Sequence, residues 1–369
     1  MSGRNGTPIK RESPNGKQEA IDRKRSLRHD DSGADKPQFL KSISLMTWCI
    51  DWQTDFYAQR VQGILNIIRE KEPDIIFLQG IKKKGEEDAE AMIRHQLERD
   101  YHVQVGSNES ATTKTSWLVT LIKRSVSPQT PEMAASCGLQ SGQYRRTLFQ
   151  MRIRIDGHNF RFINVHMDCS DQDKMLSPKK QGIRVDQIKQ MMQTARDEAA
   201  TGVVIFGGNL NIRDNEERPQ FFPDEDDQAI IQQADAWECA EAFATGGKEE
   251  HRWTWDTRVN DIFGKKRYPK EERDGFRFDR IYSLDSHKLE VSTEWFELLG
   301  KQKLLVRRVM QHEGQDVVAI PPANATGGDG AGAGHGTDWA ETFLSDHFGI
   351  FTTFRVVDKS TNKGSEPEN

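Results

Sequence analysis

The stretch Pro73-Asp74-Ile75-Ile76-Phe77-Leu78-Gln79-Gly80 decides the fold. Proline removes a backbone donor and ends whatever helix precedes it. The apolar run behind it has no polar alternation, which suits a strand of Asp74–Leu78 buried on both faces. Glutamine and glycine then place a polar group and a bare backbone at the strand's end, where a sheet edge opens.

Outward from this strand the chain alternates. Upstream, Tyr57, Val61, Ile64, Leu65 and Ile68 recur at helical spacing, which predicts a helix over Asp55–Lys71 capped by Thr54 or Asp55. Ser42–Asp51 reads as the strand before it. Downstream, Ala89, Met92, Ile93 and Leu97 predict a helix over Glu86–Asp100, followed by strands at Tyr101–Val105 and Trp117–Lys123. Phe149–Ile155 and Phe160–Met167 flank Asp156-Gly157, a hairpin turn. Val185, Ile188, Met191 and Ala195 predict a helix over Gln181–Ala200, and Val203–Phe206 a core strand. Helices, strands and a central hairpin together indicate an α/β fold built as a two-sheet sandwich.

Residues 1–38 read as a disordered polar tail, 39–357 as one domain, and 358–369 as a second disordered tail. In the first tail Arg23-Lys24-Arg25 and Arg28 read as solvated charge or as a nuclear-localisation patch. Within the domain, Phe222-Pro223-Asp224-Glu225-Asp226-Asp227 reads as an acidic loop, and about 314–339, rich in glycine and alanine, as a flexible insertion. The latter lacks the Gly-Lys-Ser/Thr ending of a phosphate loop. A net charge of −5 argues against a globally basic nucleic-acid coat while leaving room for a local basic groove. Gly264-Lys265-Lys266-Arg267-Tyr268-Pro269-Lys270 would supply one. The 4 cysteines, Cys49, Cys137, Cys169 and Cys239, are widely spaced, so neither a disulfide framework nor a zinc site is expected from spacing. No apolar run suits a membrane span.

Chemistry-bearing residues gather in ordered blocks. These are Leu45-Met46-Thr47-Trp48-Cys49-Ile50-Asp51, the Leu78-Gln79-Gly80 strand end, Ile163-Asn164-Val165-His166-Met167-Asp168, Phe206-Gly207-Gly208-Asn209-Leu210-Asn211-Ile212-Arg213-Asp214, and Ser345-Asp346-His347. Their order resembles the endonuclease/exonuclease/phosphatase superfamily, whose fold is a DNase-I-like α/β sandwich of two sheets. Arg184, Gln187-Ile188, Trp253-Thr254-Trp255-Asp256-Thr257 and Arg277-Phe278-Asp279-Arg280-Ile281 resemble the branch of 5′-tyrosyl-DNA phosphodiesterases within it.

The resemblance implies a site and also its damage. Gly80 stands where the family has the glutamate that holds Mg²⁺, and glycine offers no oxygen ligand. Asn209 stands for the aspartate general base, and Cys49 for an asparagine that donates to phosphate. Cys49 itself reads as structural filler or as a nucleophile; against the latter, no histidine adjoins it in sequence and apolar strand surroundings raise a thiol pKa. Asp168 replaces a glutamate, keeping charge while shortening reach. The resemblance assigns His347 and Asn211 as phosphate donors, Asp346 as the carboxylate orienting His347, and His166 as a retained catalytic histidine. It makes Asp51 a residual metal ligand, and Arg213, Trp253 and Trp255 DNA contacts beside Asn211 and His347. The two tryptophans, one residue apart on either side of Thr254, share a face if they lie in a strand; they then read as core aromatics or as a stacking platform for DNA.

Three functions fit these residues. One is a catalytically silent or strongly impaired phosphodiesterase relative that binds a DNA 5′ end or a protein, with Mg²⁺ held weakly or not at all. The second is an active Mg²⁺-dependent 5′-tyrosyl-DNA phosphodiesterase of DNA repair, with the metal shared by Asp51, Asp168 and Asp346. The third is a protein-interaction scaffold working through its insertions. The expected setting is a monomer in the nucleus, with the cytoplasm as a second compartment and no membrane partner.

Overall fold

The computed structural model describes residues 38–50, 56–82, 88–107, 117–141, 144–167, 178–212, 235–240, 247–262, 275–307 and 339–359. Residues 1–37 and 360–369 of the two tails, the acidic loop, the basic loop and nearly all of the glycine-rich insertion lie outside the described residues, while Gln38 and Asp358 pair with each other in β-strands.

A 6-stranded sheet runs in the order β12 (Leu289–Leu299), β15 (Gly349–Asp358), β1 (Gln38–Cys49), β2 (Ile75–Ile81), β4 (Trp117–Lys123), β3 (Tyr101–Ser107). A 5-stranded sheet runs β11 (Asp279–Leu284), β8 (Val203–Asn209), β7 (His158–His166), β6 (Tyr144–Ile155), β5 (Glu132–Ser141). Short pairs β9 (Trp255–Asp256) with β10 (Gly275–Phe276), and β13 (Leu304–Arg307) with β14 (Trp339–Thr342), decorate them. β13 and β14 therefore close the base of the insertion.

Each sheet holds one parallel pair, β1 with β2 and β7 with β8. A parallel pair needs a long crossover. Helix α1 (Tyr57–Lys71) supplies the first, while α2 (Ala89–Leu97) follows β2 and α3 (Pro178–Ala199) crosses from β7 to β8. β2 is buried on both faces, as its apolar run predicts. Ile75 and Phe77 enter the core between the sheets with Phe149, Phe162 and Phe354, whereas Ile76 and Leu78 pack under α1 with Val61, Ile64 and Ile68. Ile163, Phe206 and Met191 form the corresponding layer beneath α3. The architecture is helix, sheet, sheet, helix.

Local boundaries differ where a cap or bulge intervenes. α1 begins at Tyr57 with Phe56 as its N-cap, left-handed and without a side-chain hydrogen bond, so the expected capping by Thr54 or Asp55 is replaced; both lie outside the described residues. α2 starts later than expected because Asp88 caps it, its carboxylate accepting from Ala91 N at 3.0 Å. β2 continues past Leu78 to Ile81 through an irregular register against β4. The Asp156-Gly157 turn has positive φ at both residues, 50° and 85°, which matches the primed hairpin turn.

A polar pin joins the sheets just beneath the strand ends. Gln79 Nε2 donates to Thr47 Oγ1 at 3.0 Å and to Asn164 Oδ1 at 2.8 Å, and Asn164 Nδ2 donates to Val119 O at 3.0 Å. These side chains are fully buried. Removing one partner leaves the others without water as a substitute, so Asn164→Ala is expected to cost about 1–3 kcal/mol. A urea midpoint unchanged from the parent protein would count against the pin.

Candidate active site

The two parallel pairs direct their C-terminal ends to one place. Register sets Cys49 beside Gln79, and His166 beside Asn209. Asn209 in turn faces Asp279 across β8 and β11. The sequence blocks thus converge at the sheet ends, with Cys49, Asn209, Asn211 and His347 linked directly or through Asp279.

Asn209 is buried and its amide is engaged at both ends. Nδ2 donates to Cys49 Sγ at 3.2 Å, and Oδ1 accepts from Asn211 N at 3.0 Å. That second bond turns the chain back on itself and seats Asn211 at φ 54°, a conformation asparagine tolerates better than most residues. Asn211 Nδ2 donates to Met167 O at 3.2 Å.

His347 is held from several sides. Trp48 Nε1 donates to its carbonyl at 3.0 Å, and it bridges Trp255. Its Nδ1 lies 2.6 Å from Asp279 Oδ2, both groups being buried. Asp279 is thus the nearer carboxylate on the His347 ring, a partner that sequence did not single out, while Asp346, the expected one, lies on the side of Nε2. Asp346 Oδ2 sits 3.7 Å from Nε2, and Oδ1 accepts from Ser345 Oγ at 3.1 Å. Reasoning from sequence missed Asp279 although it lies in a quoted block: nothing local separates its aspartate from that of Ser345-Asp346-His347. The flanking Arg277 and Arg280 do not claim it, because both turn to buried Asp235, at 2.5 and 3.5 Å. Asp279 Oδ1 is buried and accepts no hydrogen bond among the described residues.

Gly80 occupies a left-handed conformation, φ +73°, and a Cβ there would lie 2.4 Å from the carbonyl oxygen of Ile50. The expected loss of the metal carboxylate is therefore accompanied by a backbone that leaves no room for one.

The tryptophans part company. Only Trp255 is in a strand, so the two do not share a strand face. Trp255 is buried against Phe276 and Phe278, with Phe278 reaching the His347 ring at 6.1 Å. Trp253 is half-buried, with the Arg252 and Arg258 guanidinium groups 4.4 and 5.6 Å from its ring centre. Asp51, Asp168 and Arg213 lie outside the described residues, so the metal set Asp51, Asp168 and Asp346 has one described member. Among the described residues, the one group able to converge on a metal is Cys49, Asp279 and His347, whose donor atoms lie within 4.8 Å of one another. Mg²⁺ asks for near-octahedral oxygen donors. Sulfur, nitrogen and a single carboxylate do not fit it.

No family model matches the chain. Among curated proteins it is similar to rat tyrosyl-DNA phosphodiesterase 2, 26% identical over 268 residues, and to the Caenorhabditis elegans 5′-tyrosyl-DNA phosphodiesterase, 26% over 271. Each match covers 71% of this chain and 62% of the relative's length. Among solved structures, D. rerio TDP2 complexed with single strand DNA product aligns with a TM-score of 0.58 at 20% identity, covering 85% of this chain and 99% of that one. An endonuclease/exonuclease/phosphatase from Bacteroides vulgatus aligns with a TM-score of 0.54 at 13% identity, covering 85% and 99%.

Proposed function

We propose that the chain is a member of the endonuclease/exonuclease/phosphatase superfamily, related to tyrosyl-DNA phosphodiesterase 2, and that it is a catalytically silent or strongly impaired relative that binds a phosphorylated DNA 5′ end. The observation that carries the reading is the left-handed, hemmed-in Gly80 at the position where the family holds its metal. Asn209 adds to it: an amide engaged at both ends cannot take a proton from water. His347, set by Asp279, and Asn211 are the groups left to donate to phosphate. Fewer carboxylates also mean less repulsion of a phosphate in the absence of a cation.

The relatives' names, which say that they act on tyrosyl-DNA, support the nucleic-acid role, and the nuclear setting rests on that role alone. Among the described residues no helix is long and apolar enough to cross a membrane.

Two measurements test the reading. Calorimetric titration of the unaltered chain is expected to show weak Mg²⁺ binding; tight binding would contradict it. A fluorescent 5′-phosphorylated oligonucleotide should bind at low salt without Mg²⁺, more tightly than its 5′-hydroxyl counterpart. Replacing His347 by alanine should remove that preference, about a tenfold effect for one charge-assisted hydrogen bond. Equal affinity for both oligonucleotides would leave the pocket without a phosphate role and favour the interaction-scaffold alternative.

A further inference from the structure

We propose that Cys49, Asp279 and His347 form a binding site for Zn²⁺, one that replaces the lost Mg²⁺ chemistry with a different cation. Three elements far apart in sequence bring a thiol, a carboxylate and an imidazole together at the ends of β1 and β11 and beside β15, donor atoms within 4.8 Å and all three residues buried. Thiol and imidazole donors select zinc over magnesium, and three protein ligands leave one position of a tetrahedron for water or a phosphate oxygen; in the zinc form His347 and Asp279 exchange their 2.6 Å contact for the metal, and the cation rather than the imidazole N–H meets phosphate.

An independent feature points the same way. Asp279 Oδ1 is buried without a hydrogen-bond partner, although an unmet carboxylate oxygen in a dry interior is costly. A cation removes that cost. The surroundings also suit a metal thiolate: Asn209 Nδ2 donates to Cys49 Sγ, an N–H that would stabilise negative charge on sulfur, and Ser345 Oγ fixes the Cys49 carbonyl at 2.7 Å. On binding, the thiol proton leaves to solvent and the sulfur electron pair goes to the metal.

The test uses the full chain, reduced, stripped with a chelator, refilled with Zn²⁺ and desalted. Elemental analysis should find about one equivalent retained per chain. Co²⁺ in its place should give a thiolate-to-metal charge-transfer band that Zn²⁺ abolishes and excess Mg²⁺ does not. Cys49→Ser and Asp279→Asn should each lose most of the retained zinc. A chain with Cys137, Cys169 and Cys239 changed to serine should keep both zinc and band, and decides the matter even where Cys49→Ser fails to fold. Absence of the band in that chain, or full zinc retention by folded Cys49→Ser, overturns the site.

Discussion

Gly80→Glu is expected to destabilise the protein rather than to rebuild a magnesium site. The position looks like a simple deletion of a carboxylate, so restoring it looks like a repair. The backbone argues otherwise. At φ +73° a residue with a Cβ is strained, a cost of about 1–3 kcal/mol. That Cβ would also lie 2.4 Å from the Ile50 carbonyl oxygen. Ile50 has little freedom to withdraw, because its N–H donates to Gln79 O at 2.9 Å at the end of the β1–β2 ladder. Displacing the strand end adds about 1–3 kcal/mol, as for other overpacked sites. Gly80→Ala separates the two ideas, since it adds the Cβ without the carboxylate. Both variants should show lowered urea midpoints, with alanine showing most of the loss. Unchanged midpoints would mean that the backbone at 80 relaxes freely and that the glutamate alone was missing.

The conformation at Gly80 was outside the reach of sequence. Its identity marked a missing ligand; its φ depends on how β2 bulges between Leu78 and Ile81 against β4. Elements set by local pattern were readable. Trp117–Lys123 has the bounds expected, and Ile75–Leu78 lies in a doubly covered strand because a continuous apolar run has few other stable placements. The C-terminal strands β12 and β15 went unassigned. The first carries a clear in–out alternation from Leu289 to Glu294, which changes phase at a bulge before Trp295, but only its partner β15, some fifty residues on, shows which sheet it joins. The site divides in the same way. Motif order brought Cys49, Asn209 and His347 into one list. That Asp279 meets His347 at Nδ1 while Asp346 lies farther off at Nε2, and that Cys49 lies beside this pair, are facts of registry between strands that no local spacing encodes.

Turnover of 5′-phosphotyrosyl DNA by the unmodified chain, with either Mg²⁺ or Mn²⁺, is expected to fall at least about 10⁴-fold below that of an intact relative, at or under detection. Loss of the general base alone removes roughly 10²–10⁴-fold. A cation that neutralises phosphate charge is worth several kcal/mol, with about 1.4 kcal/mol per tenfold in rate. The two act on one transition state, so their effects need not add. Asn209→Asp should therefore recover little. Its carboxylate would still accept from Asn211 N, but it would lose the N–H that meets Cys49 Sγ and set negative charge against that sulfur. Adding Cys49→Asn relieves this conflict, because the amide can donate to the new aspartate. The pair should outperform Asn209→Asp alone by about tenfold, the scale of one charge-assisted hydrogen bond, and remain far below the intact enzyme while position 80 cannot hold a metal. Single-turnover assays with a 5′-phosphotyrosyl oligonucleotide read all of these variants on one scale. Robust cleavage by the unmodified chain, abolished by His347→Ala, would overturn the impaired reading and establish a working phosphodiesterase with a rebuilt centre.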